Sequence, residues 1–323
     1  MPTQDDLFDD VVHRRIALER YSTTQVRVIL RYLLKVEKDL VQKIAGLAVD
    51  GLNTVPQETM LASVRSLYRD SYIRLRELLN DDFRGLAEAE AEFRLSILKK
   101  AQKVDGVTGA VASTQLSGLS ATQALVAATS KPMAGKLMAS WVEDMSDNHL
   151  AAVEQAIRIS YTEGESLSKM IKRVRDVSQL NKRGAEAIVR TANTHISSAI
   201  SQATYKANRK VLRGWQFMAV LDSRTTLICS GLDGSIHPIG KGPFPPRHIR
   251  CRSTDMPVLI GMDGIPRMSY QQWLKRQPDE VIRDILGPTR ARLFKSGKLT
   301  LDRFTDSNGK VLTLKQLKVK TNV

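Results

Sequence analysis

Apolar residues recur every three or four positions through two long stretches of this chain, and that spacing constrains the fold more than any other feature. In 11–46 the series Val26, Ile29, Leu33, Val36, Leu40 and Ile44 falls on one face of a helix. A second helix is expected over 57–80, carried by Met60, Leu61, Val64, Leu67, Tyr68, Leu75 and Leu79, and a third over 82–103, rich in Ala, Glu, Leu and Lys. The pattern resumes near 135, with a helix start expected at Asp147 or Asn148 and a break at Gly164. A short helix follows, then a long one over 181–212 whose face is Ala187, Ile188, Ala192, Ile196, Ala199, Ile200 and Ala203. Aromatic residues make up only 5% of the chain, which agrees with helices packed through aliphatic side chains.

After Gly214 the pattern changes. WQFMAVLD reads as a strand, and 222–257 is dense in Gly, Pro and single polar residues. Short helices are expected at 270–275, 279–286 and 290–296, and Asn308-Gly309 signals a tight hairpin. The fold class is therefore mainly α, with long helices in the N-terminal and central parts and a small α+β C-terminal domain. The divisions expected are 1–105, helical; 106–134, a linker of Gly, Ala, Ser and Thr; 135–213, helical; and 214–323, the α+β part.

Charge is distributed unevenly. The net +15 resides almost wholly in 206–323, where 22 Lys and Arg face 9 Asp and Glu. Such asymmetry points to a polyanionic neighbour, nucleic acid or an acidic protein surface. No run approaches the roughly 18 apolar residues of a membrane span, so no membrane partner is expected. The opening MPTQDDLFDD has four aspartates and no cation, unlike the start of a signal peptide, and predicts a protein made in the cytoplasm with those aspartates either in a solvated tail or docked on a basic partner.

The segment 215–259 concentrates the unusual residues: Trp215, Asp222, Arg224-Thr225, Cys229, Leu232-Asp233-Gly234, Pro245-Pro246, His248 and Cys251-Arg252-Ser253. Cys229, His248 and Cys251 offer three soft ligands to a metal, and Asp222, Asp233, His237 or water could supply a fourth. Two buried thiols with a hydrogen-bonded histidine, or a disulfide, would satisfy the same residues. His195 is expected to pack the long helix onto the Cys229 loop, and Trp141, Trp215 and Trp273 to anchor the packed regions. Arg247, Arg250 and Arg252 are candidates to grip phosphate; equally, cations here can pair with Asp222, Asp233 or Asp255 to hold the turn.

The order of these motifs, with Arg190-Thr191 in the preceding long helix, resembles the C-terminal domain of the phage head morphogenesis family, the Mu F-like minor head proteins. The likeness runs over about 151–317. Many relatives have cysteines at the positions of Thr226 and Ser253, so this chain has lost two thiolates of a four-cysteine set, and zinc here would depend on His248 and a carboxylate such as Asp222. The resemblance implies a structural protein of the virion, at the portal vertex or head interior. Its partners would be the portal protein, the major capsid or scaffold protein, and packaged double-stranded DNA touched through phosphates.

An enzyme is not expected. Cys229, His248 and Asp222 have the membership of a nucleophile, base and orienter, but no strand-to-helix nucleophile turn surrounds Cys229. The alternative from another class is a zinc-ribbon-like nucleic-acid-binding protein, which shares the basic C-terminal part and the Cys/His cluster.

Overall fold

The computed structural model describes residues 2–262, 264, 268–306 and 311–321. Among these, 68% are helical, and the strands form one small antiparallel sheet in the C-terminal region, so the fold is mainly α with a small α+β part. The chain divides into two units: Met1–Ala17, Ala87–Ala128 and Thr194–Val323 form the first, Leu18–Leu86 and Thr129–Asn193 the second. Three long helices contribute a segment to each: α1 (Gln4–Leu47), α2 (Gln57–Ala101) and α6 (Leu167–Ala207), with α3 (Gly109–Ser113), α4 (Ala121–Thr129) and α5 (Met138–Thr162) between the last two. No helix among the described residues is long and apolar enough to cross a membrane.

The helices are longer than expected because the buried stripe continues through the weak positions. Leu75, Leu79, Phe83, Leu86 and Leu98 are all buried along α2, while Asn80 and Asp81 at the expected break point outward into solvent. The same holds in α6, where Met170, Val174, Ser178, Ala185 and Val189 follow one another, and Ser178 returns its hydroxyl to the Val174 carbonyl at 2.9 Å. In α5, Val142 and Met145 are buried ahead of Asp147 and extend that helix backwards. The N-terminal aspartates are not in a tail. Thr3 and Asp6 bond reciprocally at the start of α1, Thr3 N donating to Asp6 Oδ2 at 2.7 Å, and Asp10 pairs with Lys100 at 2.6 Å.

In the first unit the sheet is β2 (Ile236–His237), β1 (Leu212–Met218) and β3 (Thr254–Leu259), in that order and antiparallel. Central β1 is buried everywhere but at Arg213. Gly214 has no room for a side chain, since a Cβ there would meet the His237 carbonyl of the neighbouring strand. Trp215 is fully buried; it stacks on Phe244 with ring centroids 4.3 Å apart and donates Nε1–H to the Lys241 carbonyl at 3.0 Å. Helix α7 (Leu227–Leu232) lies between β1 and β2 in the chain. Beyond the sheet, α8 (Tyr270–Lys275), α9 (Asp279–Leu286), α10 (Pro288–Lys295) and α11 (Leu314–Thr321) help enclose a second apolar cluster around Tyr270, Phe294, Phe304 and Leu317. Ser269 and Gln272 form a capping box that starts α8. The Asn308-Gly309 turn lies outside the described residues; on either side of it Thr305 and Val311 form an antiparallel bridge.

In the second unit a buried polar group interrupts the aliphatic core. His149 Nδ1 lies 2.8 Å from the Tyr68 hydroxyl and 3.0 Å from that of Tyr72, and Asn181 donates to Tyr72 at 2.8 Å. Burial, with the nearby Lys182 cation, pushes the His149 pKa down to about 4, so the ring is neutral at pH 7.

Candidate metal centre

Cys229 sits in the first turn of α7, which Thr226 caps by accepting from the Cys229 amide at 3.5 Å. His248 and Cys251 come from the loop that enters β3, closed by a Cys251 N–H to His248 carbonyl bond of 3.2 Å. The ligand atoms of the three residues lie within 4.8 Å of one another. Cys229 Sγ is 3.3 Å from His248 Nε2 and 3.7 Å from Cys251 Sγ. Tetrahedral coordination at ordinary bond lengths sets two thiolate sulfurs about 3.8 Å apart, and sulfur and imidazole nitrogen about 3.6 Å apart. The observed separations fit within a few tenths of an ångström. His248 Nδ1 faces the Ile249 carbonyl at 2.9 Å, which orients the ring and leaves Nε2 for a metal. The group can hold a metal ion.

Both thiols are buried, Cys229 at 2% exposure and Cys251 at 1%. Hydrogen bonding between them splits their acidities. The Cys251 thiol falls below its ordinary range because it accepts from Cys229 and is paired with His248, whereas Cys229 rises because it donates to that sulfur and is buried. Burial lowers the His248 pKa, but its hydrogen bond to Cys251 and the charge there outweigh burial and raise it.

The other candidate residues are placed elsewhere. Asp222 accepts two hydrogen bonds from Arg252, at 2.6 and 2.7 Å, and a third from the Arg224 amide at 3.0 Å. Asp233 ties the sheet to α8, accepting from the Ala219 and Tyr270 amides at 2.7 Å each. His237 bonds Ser235 at 2.8 Å and lies against Trp215. Among the described residues no Asp, Glu or further His joins the three ligands. Arg247 is half-buried, and Arg250 is exposed with φ at 60°, a left-handed conformation. His195 contacts the Ala128 carbonyl at 3.1 Å. Its neighbour Thr194 reaches the loop, donating to the Cys251 carbonyl at 2.7 Å.

A buried charge network supports the strand that follows Cys251. Arg94, on α2, donates to the Asp255 carbonyl and to Ser197, each at 3.0 Å. Glu90 accepts from Ser197 and from Arg14 Nε, each at 2.6 Å. Asp255 also accepts from Ser201. Burial works against the Arg94 cation, but Asp255, Tyr205 and Glu90 offset it and its pKa rises. The sequence does show a polar stripe on α6 at Thr194, Ser197 and Ser201, but a stripe alone names no partners; Arg94 and Glu90 lie about a hundred residues away in the chain.

Compared with known proteins, residues 151–256, about a third of the chain, match the family described as phage Mu protein F like protein. The matched segment contains α6, β1, β2, the first half of β3 and all three candidate ligands, and bears out the likeness read from the motif order. No curated protein and no solved structure matches the chain.

Proposed function

We propose that this Mu F-like chain is a non-enzymatic structural protein of a tailed-phage head, set at the portal vertex or in the head interior, where it touches packaged DNA through phosphates. The family itself suggests a phage head morphogenesis protein and a place in the virion. The observation that carries the finer reading is that the residues of the matched segment around the Cys/His group are used for structure: Thr194 holds the Cys251 carbonyl, Ser201 holds Asp255, and Arg94, from outside the segment, braces the same strand. The absence of catalysis is supported by the same geometry. Both sulfurs are shut away from solvent, and Asp222, which would orient a catalytic histidine, is bound to Arg252 instead. A metal at Cys229, His248 and Cys251 would brace the loop before β3, and zinc suits two thiolates and an imidazole.

The decisive experiment is quantitative peptide mass spectrometry on purified virions and on DNA-free heads, with this protein measured relative to the portal protein. A fixed, low ratio in both establishes a built-in head component. Absence from both overturns the structural reading and promotes the nucleic-acid-binding alternative.

A further inference from the structure

Exposed cations of the first unit gather most densely away from the Cys/His loop. Arg252 is committed to Asp222. The turn where α6 ends is different: Lys206, Arg209, Lys210 and Arg213 occur within eight residues and all are exposed. Among the described residues Lys206, Arg209 and Lys210 have no ion-pair or hydrogen-bond partner, while Arg213 donates to the Met262 carbonyl at 3.2 Å.

The end of α2 meets the same place. Ala101, Val104, Tyr205 and Val211 share one buried cluster. Asn208 bonds both the amide and the carbonyl of Ser117, at 2.8 and 2.9 Å. Gly106 and Gly261 approach backbone to backbone, and the Ile260 amide donates to the Val211 carbonyl at 3.0 Å. These contacts bring the 101–106 segment, which carries exposed Lys103, beside the 206–213 turn, and among the described residues the Lys103 side chain has no ion-pair or hydrogen-bond partner.

We infer that Lys103, Lys206, Arg209, Lys210 and Arg213 form a docking surface for the phosphate backbone of double-stranded DNA. This rests on the DNA contact proposed above and gives it an address. Cations near a helix C-terminus complement its dipole, but one or two suffice for that, and here Lys206, Arg209 and Lys210 lie at the end of α6, with Lys103 after α2 and Arg213 on β1. Asp105 is the one acid in 99–106 and 206–213. Among the described residues no aromatic side chain stands exposed there for a single strand to stack on. Ile260 is the exposed large apolar residue beside the patch, too little for the apolar centre of a protein interface.

The test uses the full chain, a mixed-sequence 30-base-pair duplex and fluorescence anisotropy over a salt series. The triple variant K206Q/R209Q/K210Q is compared with K275Q/R276Q/K298Q, an equal charge loss at exposed positions elsewhere in the same unit. Thermal melts confirm that both are folded. The patch variant is expected to lose affinity about tenfold or more and to flatten the dependence of log K on log salt by about 2 to 3, while the control stays near wild type. Equal losses in both variants would overturn the patch and leave a diffuse DNA contact. No duplex binding by the wild type at low salt would overturn the DNA contact as well. If the patch variant keeps duplex affinity but loses binding to poly-glutamate, the surface belongs to an acidic protein and the inference fails.

Discussion

Asp222 and Arg252 form a bidentate pair across the loop, with oxygen to nitrogen distances of 2.7 and 2.6 Å. A carboxylate that the sequence offered as a fourth ligand is thereby used to close the loop that carries Cys251. Burial raises the Asp222 pKa, but the Arg252 bonds and charge outweigh it, so the group titrates below its ordinary value. Asp222→Ala is expected to destabilise the protein by about 1–2 kcal/mol, partial exposure holding the figure down. Metal stoichiometry, read by cobalt absorption, should be unchanged. Loss of the metal signal in this variant would make Asp222 a ligand.

The Cys/His group predicts a cobalt spectrum. Full-length protein purified without metal should bind one Co²⁺, with a near-ultraviolet thiolate charge-transfer band, and zinc should displace it. Cys229→Ser and His248→Gln should each weaken or abolish the band. A wild type without any band would mean that the geometry serves a hydrogen-bonded thiol and imidazole instead. A chelator that unfolds the C-terminal part would favour the zinc-ribbon alternative.

Removing Arg94 leaves Glu90 and Asp255 buried without their central cation. Arg94→Met is therefore expected to cost about 3 kcal/mol or more. The control is Lys275→Met, an exposed cation of the same unit, expected to change the urea midpoint little. Equal shifts in the two midpoints would refute the network's role.

His149 predicts a pH dependence. Its folded pKa of about 4 lies below the ordinary 6.5, so on acidification the unfolded chain takes up a proton that the folded one refuses. Its stabilising effect is complete above about pH 6.5 and is lost as pH falls toward 4, by up to about 3 kcal/mol. Urea titrations at pH 7.5 and 4.5 should show this loss in the wild type, and His149→Gln should show a correspondingly smaller one. An equal loss in both would remove His149 as the cause.

Much of the helical architecture is legible in the residues themselves, because a buried stripe at three- and four-residue spacing is a local pattern. At 80–82 and 178–181 a run of weak helix formers masks the stripe in the sequence; tertiary burial of Phe83 and Leu86, and of Ser178 and Ala185, carries the helix through. The grouping of Cys229, His248 and Cys251 is legible for a related reason: residue types with few other uses crowd into 23 positions.

What the sequence determined by itself is this local grammar: long amphipathic helices, a change of texture at Gly214, a small sheet, and a cluster of soft ligands beside a turn. Only the tertiary structure decided which polar group meets which. Asp222 had Arg224, Arg252 and a metal as rival partners, and both arginines hold it, Arg252 through two short bonds; Thr194 reached the cysteine loop; Arg94 found Asp255 across 161 positions. The physical reason is that helical periodicity is settled by neighbours three or four residues away. Charge pairing depends on distances between segments far apart in the chain, and those distances exist only once the helices have packed.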